Sequence, residues 1–170
     1  MSSSLSLVWD NSRVHGDIAR SDGKYPDSDI TDLGCDVFQI DTRMAGYTGI
    51  TAGYLIRGSR PCLVETGTAA SAPVVRAALA ALGVGATDLA TVVVTHIHLD
   101  HAGGTGDIAA MYPDAEVVVH VKGARHLADP SRLMAGARAV YGSALDRLFG
   151  VLAPVPADRI VALAESISPT

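Results

Sequence analysis

The stretch "VVVTHIHLDHAGG" (residues 92–104) places three histidines and an aspartate directly after a run of β-branched residues. The run "TVVV" (91–94) is typical of a strand that is buried on both faces of a sheet. The whole chain of 170 residues has only six histidines, and half of them fall within six positions here. This density indicates a shared chemical role for the three histidines.

Polar and apolar residues alternate along this stretch. In extended backbone, His96, His98 and Asp100 would project to one side and Ile97 and Leu99 to the other. We therefore expect the apolar pair to pack into the core while the polar groups converge in a cleft. The carboxyl end of a buried strand is also where an open α/β sheet usually binds its ligand.

The chemistry of these side chains suggests metal binding. Neutral imidazoles and a carboxylate suit zinc, and also ferrous or manganous ions. Small residues follow, including Gly103 and Gly104, and their permissive backbone lets the loop curl around a ligand. Four donors so close in sequence fit two neighbouring ions more easily than one tetrahedral ion. The predicted metal ligands are His96, His98, Asp100 and His101.

The remaining segments predict an α/β fold with a mixed sheet and flanking helices. Three early strands are close enough in sequence to pair antiparallel, at 35–41, 50–58 and 62–65. Three later strands alternate with helices and are expected at 91–94, 115–120 and 159–163. The predicted helices lie at 71–83, 106–113, 121–129 and, as one long helix, 129–149. We divide the chain into a partly irregular N-terminal segment, 1–34, and a domain, 35–170.

The composition of the chain disfavours several classes of partner. A net charge of −5 and the lack of a basic stripe disfavour nucleic acid as a partner. The N-terminus lacks the basic and apolar regions of a signal peptide, and no apolar stretch is long enough to cross a bilayer. These features predict a cytoplasmic protein that acts on a small molecule, without a membrane partner. Cys35 and Cys62 are expected to be reduced thiols.

The segment "THIHLDHAGG" matches an H-x-H-x-D-H signature and resembles the metallo-β-lactamase-fold hydrolases, among them glyoxalase II-like enzymes. The segment "LVETG" (63–67) and the helix after it also follow this family, so the likeness covers about residues 35–125. The resemblance implies half of an αββα sandwich with a metal centre at one sheet edge. It also implies hydrolysis of a small ester, thioester, lactone or amide by a metal-activated water.

Carried over by position, the resemblance assigns His96 and His98 to a first ion and Asp100 and His101 to a second. Zinc is the expected metal, as two ions in the complete enzyme, with iron or manganese as alternatives. Because a metal lowers the pKa of its bound water to about 7, the site would hold a nucleophile at neutral pH. Asp100 is the expected catalytic residue, orienting that water and passing its proton to the leaving group.

The chain departs from the family pattern at two places. The family usually has Asp where this chain has Glu65, which is either an acceptor that orients a metal ligand or an ordinary strand-end charge. The family's downstream ligands are absent, because residues 121–170 contain only His126. The resemblance therefore implies the N-terminal half of a longer enzyme. His120 is either a substitute ligand or a structural, hydrogen-bonded side chain.

Two alternatives to the hydrolase remain open. One is an iron-dependent persulfide dioxygenase of the same fold. The other is a catalytically incomplete fragment with no activity alone. Half a sandwich would expose an apolar sheet face, so such a fragment is expected to self-associate or to pair with the missing C-terminal half.

Overall fold

A computed structural model describes residues 29–164. These residues contain seven strands in one sheet, and the order of the strands in the sheet is their order in the chain. The strands are β1 (Ile30–Gly34), β2 (Val37–Asp41), β3 (Ala52–Ile56), β4 (Cys62–Val64), β5 (Thr91–Val94), β6 (Glu116–His120) and β7 (Ile160–Leu163). The predicted N-terminal segment covers residues 1–34. Residues 1–28 of it lie outside the described residues, and its last five residues form β1.

The sheet is mixed, as the sequence predicts. Strands β1 to β4 pair antiparallel, whereas β4 to β7 pair parallel. Because β4 to β7 run in the same direction, their carboxyl ends lie along one edge of the sheet. The turn that leads from β2 into β3 lies at the same edge, since β3 runs antiparallel to β4.

Within residues 29–164, six α-helices connect or follow these strands: α1 (Ala72–Ala81), α2 (Leu99–Ala102), α3 (Thr105–Met111), α4 (Val121–Ala128), α5 (Ser131–Tyr141) and α6 (Leu145–Leu148). Helix α1 has Pro73 in its first turn, where the missing N–H costs nothing. It ends before Gly83, whose φ of 79° is the left-handed conformation that follows many helices.

One face of the sheet forms the core. Leu55, Leu63, Val92 and Val117 are neighbours across β3 to β6 and are fully buried. Helices α1, α3 and α4 pack on this side of the sheet. The alternation of buried and half-buried residues in β5 and β6 follows from this one-sided covering.

The opposite face carries apolar side chains that the described residues leave partly uncovered. Val64, Val93 and Val118 are half-buried there. Ile56 is 45% exposed and Leu163 is 53% exposed. A mixed sheet with helices on one side and an uncovered apolar face on the other agrees with the predicted half of a sandwich. The predicted self-association or pairing with a C-terminal half stays a prediction.

The structure corrects one predicted element. The long helix expected over 129–149 is wrong, because α5 ends at Tyr141 and α6 begins only at Leu145. Gly142 separates the two with a φ of 55°, which an α-helix does not accommodate.

Both cysteines are free, with Cys35 exposed and Cys62 half-buried. Among residues 29–164, no helix is both long and apolar enough to cross a membrane.

Candidate metal centre

The site lies at the edge where the carboxyl ends of β4 and β5 meet. Glu65 directly follows β4, and Thr95 directly follows β5. The N–H of Glu65 donates to the carbonyl oxygen of Val93 at 2.9 Å, which continues the parallel ladder past the end of β4. Glu65 and Thr95 are thereby held side by side.

The histidine stretch leaves the strand earlier than the sequence suggests. The backbone bends at Thr95 and His96, and His98 is the extended residue that precedes α2, with φ −65° and ψ 146°. Asp100 therefore lies in the first turn of a short helix, and the predicted extended alternation through Asp100 is wrong. Leu99 is nevertheless buried in the core, because α2, and not an extended strand, directs its side chain inward.

The structure brings the four predicted ligands into one contiguous cluster. The imidazole centroid of His96 lies 4.7 Å from that of His98 and 4.2 Å from that of His101. Asp100 Oδ2 lies 3.4 Å from His101 Nε2. Each predicted donor thus has another predicted donor as a neighbour.

The tightest grouping of donor atoms includes a residue beyond these four. One donor atom each from Glu65, His96 and His101 lies within 4.8 Å of the others. His98 and Asp100 stand outside this trio, although each adjoins one of its members. Glu65, which the sequence leaves open as an acceptor or an ordinary charge, therefore belongs to the site.

Glu65 is held in an unusual way. Its side chain is buried, and Oε1 accepts the backbone N–H of Thr95 at 2.7 Å. Oε2 lies 2.8 Å from His101 Nδ1 but accepts no hydrogen bond of regular geometry from the described residues. The φ of Glu65 is 65°, in the left-handed region that residues other than glycine adopt infrequently.

Thr95 is a site residue that the sequence reasoning missed. Its hydroxyl oxygen lies 2.9 Å from His96 Nδ1, within hydrogen-bond distance. The available signal was its position, immediately before the first histidine of the cluster. A residue there reaches the imidazole because the strand has just ended and the chain bends.

The histidine loop, residues 95–104, is joined by backbone hydrogen bonds to the residues that follow β4. The N–H of Thr66 donates to the carbonyl oxygen of His101 at 2.9 Å, and that of Gly104 donates to Gly67 at 3.0 Å. A Cβ on Gly103 would lie 2.2 Å from the carbonyl oxygen of Leu99. Gly103 and Gly104 adopt ordinary helical φ values, so these glycines serve close packing and not an unusual backbone conformation.

The distances are compatible with a divalent cation. At zinc bond lengths of about 2.0–2.2 Å, two ligand atoms of a tetrahedral ion lie about 3.4 Å apart. Asp100 Oδ2 and His101 Nε2 have this separation. The 2.8 Å between Glu65 Oε2 and His101 Nδ1 is instead a hydrogen-bond distance, and it involves the other ring nitrogen.

The other histidines do not belong to the compact donor group or lie outside the described residues. His120 ends β6 and precedes α4, where its Nδ1 accepts the N–H of Lys122 at 3.2 Å. His126 Nε2 lies 3.2 Å from Arg125 Nε on α4. Neither belongs to the compact donor group found among residues 29–164. His15 is outside the described residues.

An open cavity of about 240 Å³ adjoins the cluster at the same edge of the sheet. Its lining is mostly apolar and comes from the ends of β5, β6 and β7. The lining residues are Val93, Val94, Thr95, Val118, Val119, His120, Leu163 and Ala164.

Comparison with solved structures shows that the fold of this chain is similar to that of metallo-β-lactamases. MEM-A1, a subclass B3 enzyme isolated from a soil metagenome library, is 22% identical, with a TM-score of 0.60 over 81% of this chain and 46% of that one. LRA-12, a class B3 di-zinc enzyme from an Alaskan soil metagenome, is 26% identical, with a TM-score of 0.58 over 80% and 46%. A search of curated protein sequences found no significant match.

The described chain spans about half the length of these structures. A Cronobacter sakazakii metallo-β-lactamase carrying motif mutations shows the same relation: 23% identity and a TM-score of 0.53 over 77% of this chain and 46% of that one. At the level of sequence, the family model of the metallo-beta-lactamase superfamily matches residues 46–166, which include β3 to β7 and the whole donor cluster. The chain therefore belongs to the metallo-β-lactamase superfamily.

Proposed function

We propose that this chain carries the metal-binding part of a metal-dependent hydrolase that cleaves a small ester, thioester, lactone or amide. The observation that carries the proposal is the clustering of three imidazoles and one carboxylate at the carboxyl edge of the parallel strands. The separation of 3.4 Å between Asp100 Oδ2 and His101 Nε2 supports a shared ion for these two atoms.

In this proposal His96 and His98 hold one cation, and Asp100 and His101 hold another. Imidazole and carboxylate donors favour zinc, with iron or manganese as alternatives. The di-zinc content stated for LRA-12 supports zinc. A bound cation of this type lowers the pKa of a coordinated water to about 7 and polarises a substrate carbonyl.

The accessibility of the side chains supports their roles. His96 and His98 are exposed, so a substrate can reach them from solvent. The Asp100 side chain is 33% exposed, which leaves its carboxylate able to orient a water and to pass a proton to the leaving group.

A panel of model substrates tests the proposal directly. The purified chain, loaded with zinc, is offered an aryl ester, a thioester, a lactone and a β-lactam, and the initial rates are measured before and after chelation. We expect hydrolysis of at least one substrate, loss of the rate on chelation and recovery on addition of zinc. D100A should lower the rate by about 100-fold or more, the lower end of general acid–base contributions.

D158N supplies the matched control, because Asp158 is an exposed carboxylate outside the cluster and its removal should leave the rate unchanged. A zinc-loaded chain that hydrolyses none of these substrates, or a rate that chelation does not alter, contradicts the proposal. Oxygen uptake with a persulfide by iron-loaded protein would select the dioxygenase instead.

A further inference from the structure

We infer that Thr66 is a positioning residue that holds the main chain of His101 and thereby places one ligand of the second proposed cation. The inference rests on the proposed function, because Asp100 and His101 are the donors proposed for that cation. The contacts that carry it are made by two buried hydroxyl groups and one backbone carbonyl.

Thr66 donates twice to the carbonyl oxygen of His101. Its backbone N–H donates at 2.9 Å and its hydroxyl donates at 3.1 Å. A carbonyl oxygen has two lone pairs, so these two donors are enough to satisfy it. Because one residue supplies both donors, the direction of the His101 carbonyl follows the position of Thr66.

A second buried hydroxyl extends this arrangement. Thr105 Oγ1 lies 3.2 Å from Thr66 Oγ1, and both threonines are fully buried. The single hydroxyl proton of Thr66 is directed at His101, so Thr105 is the donor between the two hydroxyls. We call this series, from Thr105 through Thr66 to the His101 carbonyl, the hydroxyl chain. Hydrogen bonds in series in a protein interior polarise one another, which strengthens the bond to His101.

Close packing surrounds the hydroxyl chain. Gly67 and Ala102, the residues that follow Thr66 and His101, form a parallel bridge. A Cβ on Gly104 would lie 2.9 Å from the carbonyl oxygen of Thr66 and 3.4 Å from its Cβ. The backbone of the histidine loop is thus packed directly against Thr66. A rotation of the His101 peptide would require this packed backbone to shift.

The main chain of His101 matters because the imidazole amplifies its movements. Nε2 is the proposed ligand atom, and it lies 3.4 Å from Asp100 Oδ2, the spacing of two ligands of one ion. A tilt of the His101 peptide would change this separation and weaken the second site. His96 follows the end of β5 and His98 precedes α2, so the first site should depend less on Thr66.

Two substitutions at Thr66 separate the effect of its hydroxyl from that of its methyl group. Thr66→Val keeps the shape but removes the hydroxyl. The affinity for the second zinc ion should then fall by about 10–100-fold, the usual loss when a partner of a metal ligand is removed. Thr66→Ser keeps the hydroxyl and should retain this affinity, although it loses a buried methyl group. Zinc titration against a competing chelator resolves the two binding steps, and the affinity for the first ion should change little.

The ¹³C chemical shift of the His101 carbonyl in the metal-free chain gives a readout that requires neither zinc nor activity. Carbonyl shifts respond to hydrogen bonding, so this signal should move in Thr66→Val and stay in place in Thr66→Ser. Thr105→Val removes only the far donor of the hydroxyl chain. It should move the signal in the same direction by less, with a smaller loss of affinity, and it carries the test if Thr66→Val does not fold.

Thr42→Val is the matched control. Thr42 is also fully buried, and its hydroxyl also contacts one carbonyl oxygen and one hydroxyl, both of Thr51. The variant loses a comparable set of hydrogen bonds at a different place. It should therefore be destabilised to a similar extent and keep both zinc affinities and the His101 carbonyl shift.

A second zinc ion bound by Thr66→Val with unchanged affinity, or as weakly by Thr66→Ser as by Thr66→Val, would overturn the inference. An unchanged His101 carbonyl shift in Thr105→Val, or the same loss of affinity in Thr42→Val, would also overturn it. Failure of the proposed function gives a different result. In that case the carbonyl signal responds to the variants as expected, whereas the unmodified chain binds no zinc or hydrolyses no substrate.

Discussion

Asp100 Oδ2 and His101 Nε2 lie 3.4 Å apart although the two residues are neighbours in the first turn of α2. Successive residues of an α-helix point about 100° away from each other, so their side-chain tips meet only when both bend toward a common point. This pair has the spacing of two ligands of one tetrahedral ion. His96, whose ring adjoins that of His101, joins the pair to the rest of the cluster.

The first prediction concerns His98, which borders the compact donor group. H98A removes one of two imidazoles proposed for the same ion and should abolish stoichiometric zinc binding at that ion. The affinity should fall by more than the roughly 10–100-fold that follows loss of an outer-shell partner. Metal content after gel filtration measures the change, and H126A, on α4 outside the cluster, should retain the full content. Unchanged zinc in H98A would refute its assignment as a ligand.

The second prediction compares two glycines. A Cβ on Gly103 would meet the Leu99 carbonyl oxygen at 2.2 Å, whereas one on Gly136 would meet no atom within 4 Å. G103A should therefore destabilise the fold by about 1–3 kcal/mol or more and shift the histidine loop. G136A should stabilise α5 by about 0.5–1 kcal/mol. Urea denaturation gives both values, and equal effects of the two changes would argue against the packing described for the loop.

The third prediction is a pH dependence at Asp107. Burial raises the pKa of the Asp107 carboxyl above its ordinary value of 3.8. A folded-state pKa above the unfolded value means that ionisation destabilises the folded chain, and this cost is complete once the pH exceeds the folded pKa. D107N should consequently raise the melting temperature at about pH 7, with the gain disappearing below the ordinary pKa. A gain that is the same at acidic and neutral pH would contradict this cause.

The fourth prediction concerns Arg159, next to the start of β7. Its guanidinium donates to the carbonyl oxygens of Ala109, Tyr112 and Ala115, at and after the end of α3. R159M keeps the apolar stem but removes these donors, and should destabilise the fold by about 1.5–3 kcal/mol. R132M, at an exposed position of α5, provides the comparison and should change the unfolding free energy little. Similar losses in both variants would argue against a specific role for Arg159.

The location of the site could be predicted because its signal is local. A run of β-branched residues followed by closely spaced donors indicates both the strand β5 and the edge at which it ends. The bounds of β2 to β7 lie within two residues of the expected ones for the same reason: each of these strands carries its own apolar pattern. The mostly exposed β1 has no such pattern and was not predicted. The mixed sheet followed from the short connections early in the chain and the helical connections later.

The remaining features depend on contacts between distant parts of the chain. The alternation of polar and apolar residues favoured an extended backbone through Asp100. The hydrogen bonds that join His101 and Gly104 to the residues after β4 select a helix instead. The orientation of Glu65 depends on the close approach of Gly53 from the neighbouring strand. The apolar pattern of residues 129–149 continues past Gly142, whose left-handed backbone could not be inferred from periodicity.

The most direct test of the central claim is X-ray absorption spectroscopy on the chain titrated with one equivalent or more of zinc. We predict saturable binding, with histidine-containing nitrogen and oxygen coordination at about 2.0–2.2 Å. This signal should disappear in a variant in which His96, His98, Asp100 and His101 are all replaced by alanine. Absence of saturable binding, or the same coordination in that variant, would contradict the account.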